Sequence, residues 1–139
     1  MVFACFLFLH AKGQSMKKHH WQNRVLLVKT TDENNPKYQK QLIKFRDLNK
    51  ELGERKMVLY QIVGDKYKLT DYQNLESNPN WENSKNINND LFDKQANFEV
   101  MVIGLDGGIK LKKSEVLEKK ELFNLIDSMP MRIQETNKN

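Results

Sequence analysis

The 139 residues include a single cysteine, Cys5. That scarcity excludes an intrachain disulfide, a Cys-x-x-Cys redox pair and a cysteine-based zinc site. Long apolar runs are missing too. The longest, Val2 to Leu9, has eight residues, against the ~18–20 that a membrane-spanning helix needs. A mean hydropathy of −0.73 likewise excludes a polytopic membrane protein. There is no His-Glu-x-x-His metal motif, no phosphate-binding loop and no internal repeat, so nothing in the sequence asks for a metal or cofactor.

What remains fits one small domain with a wet surface: 39% of residues are apolar and 29% charged. Lys and Arg number 23 against 18 Asp and Glu, a net charge of +5. The run Val2–Leu9 suits the apolar segment of a secretory signal, with small residues Ala11 and Gly13 placed for cleavage. Residues 1–13 are therefore expected to be a signal-peptide remnant, and the protein secreted or periplasmic. Cleavage there would remove Cys5 and leave a cysteine-free chain without membrane insertion. Residues 14–20 read as an exposed basic leader and 136–139 as a polar tail.

Between these ends the hydrophobic pattern is regular. Arg24 to Lys29 is a short β-branched run of the kind that forms a strand buried on both faces. Pro36 suits a first helical position with Asn35 as N-cap, and Tyr38, Leu42, Phe45, Leu48 and Leu52 recur at helical spacing. Gly53 is expected to close that helix in a left-handed cap. Met57 to Val63 is a second strand, parallel to the first. From Gly64 to Asn97 the pattern dissolves into an Asn-rich stretch with Trp81, expected to hold short helical turns near 69–75 and 90–95. Phe98–Ile103 and Ile109–Lys112 flank Asp106-Gly107, a strong hairpin signal. A last helix is expected from Glu118 to Ser128, stopped by Pro130. The fold class is therefore α/β: β-α-β then β-β-α with a polar insertion at 64–97, the order of a thioredoxin-like fold, with helices expected on both faces of the sheet.

Several of these stretches are also familiar as sequence. Trp21-x-x-Arg24-Val25-Leu26-Leu27-Val28, Pro36-x-Tyr38-x-x-Gln41-Leu42, Glu54-Arg55-x-Met57-Val58, Gly104-Leu105-Asp106-Gly107-Gly108 and Ile126-Asp127-Ser128-Met129-Pro130-Met131-Arg132 carry the likeness. Over 21–135, apart from the Asn-rich stretch, the chain resembles a peroxiredoxin-related, thioredoxin-like domain family of unknown function. It looks like the stand-alone bacterial form of a domain found in animal sushi-repeat-containing extracellular proteins. The resemblance implies a thioredoxin-type fold, secretion and binding rather than catalysis. The chain departs from active thioredoxins in having Asn97, not proline, before the third strand.

In such a fold the reactive position lies between the first strand and the first helix. Here it reads Thr30-Thr31-Asp32-Glu33-Asn34-Asn35, whose hydroxyl, carboxylate and amide groups cannot exchange disulfides. These residues either cap the helix or form a small polar binding site. Thr31, Asp32, Asn34 and Asn35, with Arg132 and Trp81, are the candidate binding residues. Arg132 has a structural alternative, pairing with Asp127. His19 and His20 read as exposed leader residues, because no third metal ligand is evident. Lys110, Lys112, Lys113, Lys119 and Lys120 form a basic face, but Glu115, Glu118 and Glu121 alternate with them, which speaks against nucleic acid. The expected function is binding of a protein or glycan partner in the cell envelope without redox activity. The alternatives are an enzyme with non-thiol, reductase- or hydrolase-like chemistry at the strand–helix loop, and a structural envelope protein with no discrete site.

Overall fold

The computed structural model describes residues 14–76, 79–84, 87 and 91–137. The Val2–Leu9 run, Cys5, the expected cleavage site, Asp90 and the end of the tail lie outside them.

In chain order the elements are α1 (Gln14–Lys17), β1 (Arg24–Thr30), α2 (Pro36–Phe45), α3 (Asn49–Glu54), β2 (Met57–Val63), β3 (Lys66–Asp71), β4 (Glu82–Asn83), β5 (Phe98–Ile103), β6 (Ile109–Lys113), α4 (Lys119–Asp127) and α5 (Pro130–Asn137). Among the described residues six strands form one mixed sheet in the order β4-β3-β2-β1-β5-β6. β1 runs parallel to β2, pairing Arg24 with Met57 and Thr30 with Val63, and antiparallel to β5, pairing Val25 with Ile103. The remaining neighbours are antiparallel. The expected α/β class and the strand–helix–strand and hairpin units are all present.

Alternate residues of the central strands supply two cores. Leu26, Val28, Leu59, Val100 and Val102 face Tyr38 and Phe45 of α2, Leu52 of α3, and Leu122 and Ile126 of α4. Gln41 ties this layer together: its buried amide donates to the Leu117 carbonyl at 2.9 Å and accepts from the Leu117 N–H at 2.7 Å. Val25, Leu27, Tyr60, Ile62 and Met101 face the opposite way. That second face is covered by one short helix, through Met16 of α1, and by Ile87 and Phe92 of the Asn-rich segment. The segment is fastened to the sheet by charge. Glu99, itself buried, accepts the Asp93 N–H at 2.9 Å, and Lys112 bridges Glu99 and the Leu91 carbonyl.

The structure corrects four expectations. The apolar spacing from Tyr38 to Leu52 does not mark one helix. The chain breaks at Arg46–Leu48, with Asp47 left-handed at φ 64°, yet α2 and α3 cover the same face, so the spacing survives the break. The 64–97 stretch does not open as a helical turn near Leu69; it opens as β3, joined to β2 by the two-residue turn Gly64-Asp65, with Gly64 at φ 57°. Pro130 ends α4 but also begins α5, which runs through Asn137. Finally, Gly53 does not cap α3; Lys56 takes the left-handed conformation at φ 54°.

Gly53 has a different purpose. A Cβ there would lie 2.8 Å from the Tyr72 carbonyl oxygen, so only glycine lets the end of β3 pack against α3. Gly→Ala inside a helix ordinarily stabilises by roughly 0.5–1 kcal/mol. Here the sign is expected to reverse, with Gly53→Ala costing about 1–3 kcal/mol through overpacking. Urea unfolding checks this: a lowered midpoint is expected, and a raised one contradicts the close approach.

Candidate functional site

β1 presents two very different ends. At its C-terminal end the Thr30 hydroxyl, buried, donates to the Asp32 carbonyl at 2.7 Å. Asp32 Oδ1 accepts the Asn34 N–H and Asn35 Oδ1 accepts the Lys37 N–H, each at 2.9 Å. The Thr31 N–H donates to the Asn97 carbonyl at 3.2 Å. Thr31, Asp32 and Asn34 are exposed, and Asn35 is half-buried. The side chains of Thr30, Asp32 and Asn35 are thus engaged in the loop's own turns and in capping α2. Lys37 leans away, onto the Ser114 carbonyl and Glu115.

The N-terminal end holds a buried charge. Arg24 is wholly buried, although it heads an otherwise apolar strand. Its guanidinium donates to the Arg55 carbonyl at 2.9 Å and to both oxygens of Glu135 at 3.3 Å. Arg132 shares that carboxylate at 3.3 Å, reaches Asp127 at 3.3 Å and donates to the Glu54 carbonyl at 3.0 Å. Arg55 forks onto Asp127 at 2.9 and 3.0 Å with its guanidinium over the Phe123 ring. Burial opposes the charge of Glu135, but the hydrogen bonds and charges of Arg24, Arg132 and Lys56 outweigh it and hold the carboxyl below its usual range. Asp127 is lowered in the same way by Arg55 and Arg132, again against burial. This network clamps α5 to the start of β1 and the end of α3.

Beside the clamp Trp21 stands 63% exposed in the left-handed region at φ 67°, its N–H bonded to the Leu105 carbonyl at 2.7 Å. A non-glycine residue held there costs roughly 1–3 kcal/mol. Two hollows open here and share Leu105 and Met131. One, of about 370 Å³, is walled by Arg24, the β5–β6 turn and the α4–α5 joint. The other, of about 440 Å³, lies between Trp21, Lys56 and Arg132.

The candidate residues do not gather into one surface. The Thr31–Asn35 loop and Arg132 lie at opposite ends of β1, roughly 20 Å apart at ~3.3 Å per strand residue. Arg132 pairs with Asp127 and Glu135 and also lines a hollow. Trp81 belongs to a third place, beside β4, where the Lys68 ammonium stands 5.0 Å from its ring centroid. Tyr72, just after β3, packs against the first core. The basic face is largely neutralised: Lys110 pairs with Asp106 and Lys113 with Glu121, each at 3.0 Å. Arg24, Trp21 and Met131 were missed as site residues; the signal for Arg24 was a charge directly at the head of an apolar run.

His19 also departs from expectation. It is buried, and its Nδ1–H donates to Asn23 Oδ1 at 2.9 Å, so that Nε2 accepts the Tyr60 hydroxyl at 2.7 Å. His20 is exposed beside Gly107, and no metal-binding cluster occurs among the described residues. The basic leader is therefore part of the second core through Met16 and His19.

Residues 15–135 match a family model described as Domain of unknown function (DUF4174). The chain belongs to this family. No curated protein and no solved structure matches it. In this DUF4174 chain the family match takes in the buried leader residues as well as the Arg24 clamp.

Two predictions come from these networks. Glu135→Ala strips Arg24 of its carboxylate partner, and breaking a buried pair typically costs about 3–5 kcal/mol. Chemical denaturation should show a loss near the lower figure; a change under about 0.5 kcal/mol, the scale of a surface substitution, would contradict the clamp. Burial lowers the pKa of His19 from 6.5, only partly countered by Asn23. The unfolded chain then holds the proton more tightly, so stability is full above pH 6.5 and falls as the pH drops through and below that value. Thermal midpoints between pH 7 and 5 should show this slope, and His19→Gln should flatten it.

Proposed function

We propose that the chain is a thioredoxin-like module that binds a protein or glycan partner in the cell envelope and performs no thiol redox chemistry. The inner strands support the fold assignment: β2-β1-β5-β6, with β1 and β2 parallel, β5 and β6 antiparallel, and α2 and α4 on one face. Secretion rests on the Val2–Leu9 run, and the extracellular setting on the resemblance of the hairpin and the Ile126–Arg132 ending to the sushi-repeat-associated domain.

The observation that carries the proposal is the β1–α2 loop. No cysteine occurs in residues 14–139, and the groups standing where a thiol would act are occupied by local turns. An enzyme using Asp32 would want that carboxylate sequestered in a pocket beside a base; Asp32 is exposed. Apolar side chains offered to solvent stand elsewhere, with Trp21 and Met131 next to the arginine clamp and Trp81 at the far edge of the sheet. Such exposed aromatic residues suit partner contact better than catalysis.

The test is cross-linking capture from an envelope extract by the tagged full chain, beside Trp21→Ala, Trp81→Ala and Asp32→Ala. A stoichiometric partner retained by wild type and lost with one tryptophan is expected, with no reduction of insulin disulfides. Turnover of an ester, peptide or glycoside substrate that Asp32→Ala abolishes would contradict the proposal.

A further inference from the structure

The hollow of about 370 Å³ next to Arg24 is of a size that holds small ligands, whose sites span roughly 300–1,000 Å³. Its wall is mainly apolar, from Leu105, Leu125, Met129, Pro130 and Met131, with two cations, Arg24 and Lys110, and one carboxylate, Asp106. Lys110 is already matched by Asp106 at 3.0 Å. Arg24 is not fully matched. Its Nε is buried and finds no acceptor among the described residues. Its two contacts to Glu135, at 3.3 Å, are longer than the ~2.7–2.9 Å of a strong charge-assisted bond. Glu135 is also stretched, serving Arg132 at 3.3 Å and Lys56 at 3.7 Å as well. Four cations, Arg24, Arg55, Lys56 and Arg132, thus share Asp127 and Glu135. Glu54, on the rim of the neighbouring hollow, contributes its carbonyl rather than its carboxylate to Arg132.

We propose that this cavity binds an apolar chain ending in a carboxylate, the apolar part against Leu105, Leu125, Met129 and Met131 and the carboxylate drawn to Arg24. The inference deepens the binding-module proposal and rests on it. A compact anion such as phosphate would leave the apolar wall unfilled, and a neutral apolar ligand would leave the Arg24 charge no better matched than it is now. Arg24 is wholly buried, so a carboxylate in the cavity meets its guanidinium only once lining side chains give way, and until then is drawn by its charge across surroundings where attraction between charges exceeds that in water. The chemistry is shared by a free medium-chain fatty acid and by a peptide whose C-terminal residue is apolar.

The test uses the isotopically labelled full chain and follows backbone amides together with the arginine Nε–H resonances. The probes are octanoate, octanol, a short acetylated peptide ending in leucine, and the same peptide as its C-terminal amide. Octanoate or the peptide acid is expected to move the Arg24 Nε–H and the amides of Leu105 and Met131, and to bind at least about tenfold more tightly than its neutral counterpart. Met131 is 38% exposed, so Met131→Glu leaves the fold intact, as its unfolding midpoint will verify, and is expected to weaken the acid at least about tenfold. The peptide acid binding where octanoate fails identifies a chain terminus as the source; octanoate binding where the peptide fails identifies a free acid. Equal affinity for acid and neutral probe, shifts confined to other faces, or binding by no probe overturns the inference. A partner captured through Trp81 while every probe leaves Arg24 unmoved overturns it too, and leaves the binding-module proposal standing.

Discussion

Everything in this structure follows from one strand that has no exposed face. β1 is buried from Arg24 through Val28, and β5 is buried along its whole length. A sheet whose inner strands are apolar on both sides must be covered on both sides. α2, α3 and α4 supply one cover with regular helical spacing. The other cover is improvised from Met16, His19, Ile87 and Phe92, side chains drawn from two stretches of chain that look hydrophilic overall. Their polar neighbours are held in place by Glu99, Lys112 and the His19–Tyr60 hydrogen bond.

The same burial sets the character of the two ends of β1. At the end where a thioredoxin-like module would carry its chemistry, the buried Thr30 hydroxyl and the side chains of Asp32 and Asn35 turn back to satisfy the backbone. At the other end a buried guanidinium has to be neutralised, and Glu135, reached only through α5, does so incompletely. On the proposed reading the incompletely satisfied cation beside an apolar cavity serves binding, and the loop, which carries no thiol, serves no thiol chemistry. The contrast between the ends is why the proposed function places recognition, not reaction, on this domain.

Much of the fold was legible because burial leaves a period in the sequence. The β1 and β2 runs, the Asn35–Pro36 helix start and the Asp106-Gly107 hairpin were read from spacing and turn chemistry alone. Spacing reports which face is covered, not whether the chain covering it is continuous. Tyr38 to Leu52 therefore read as one helix across the break at Asp47. β3 escaped notice because its residues are only half-buried and its signal was the short turn Gly64-Asp65 rather than an apolar run. The site was less legible still. Arg24 and Trp21 were visible as residues, but their burial and backbone strain come from packing against α5 and Leu105, contacts that cross most of the chain.

The claim that both covers are needed equally is open to one direct measurement. Native-state hydrogen exchange can follow the β1 amides Val25 to Val28 in the wild-type chain, in Leu122→Ala and in Phe92→Ala. The account predicts that these amides open only with global unfolding, and that each truncation lowers their opening free energy by about 3–5 kcal/mol, the usual cost of removing a large core side chain. If Phe92→Ala leaves β1 protection unchanged while Leu122→Ala reduces it, the second face is not a core, and the account is contradicted.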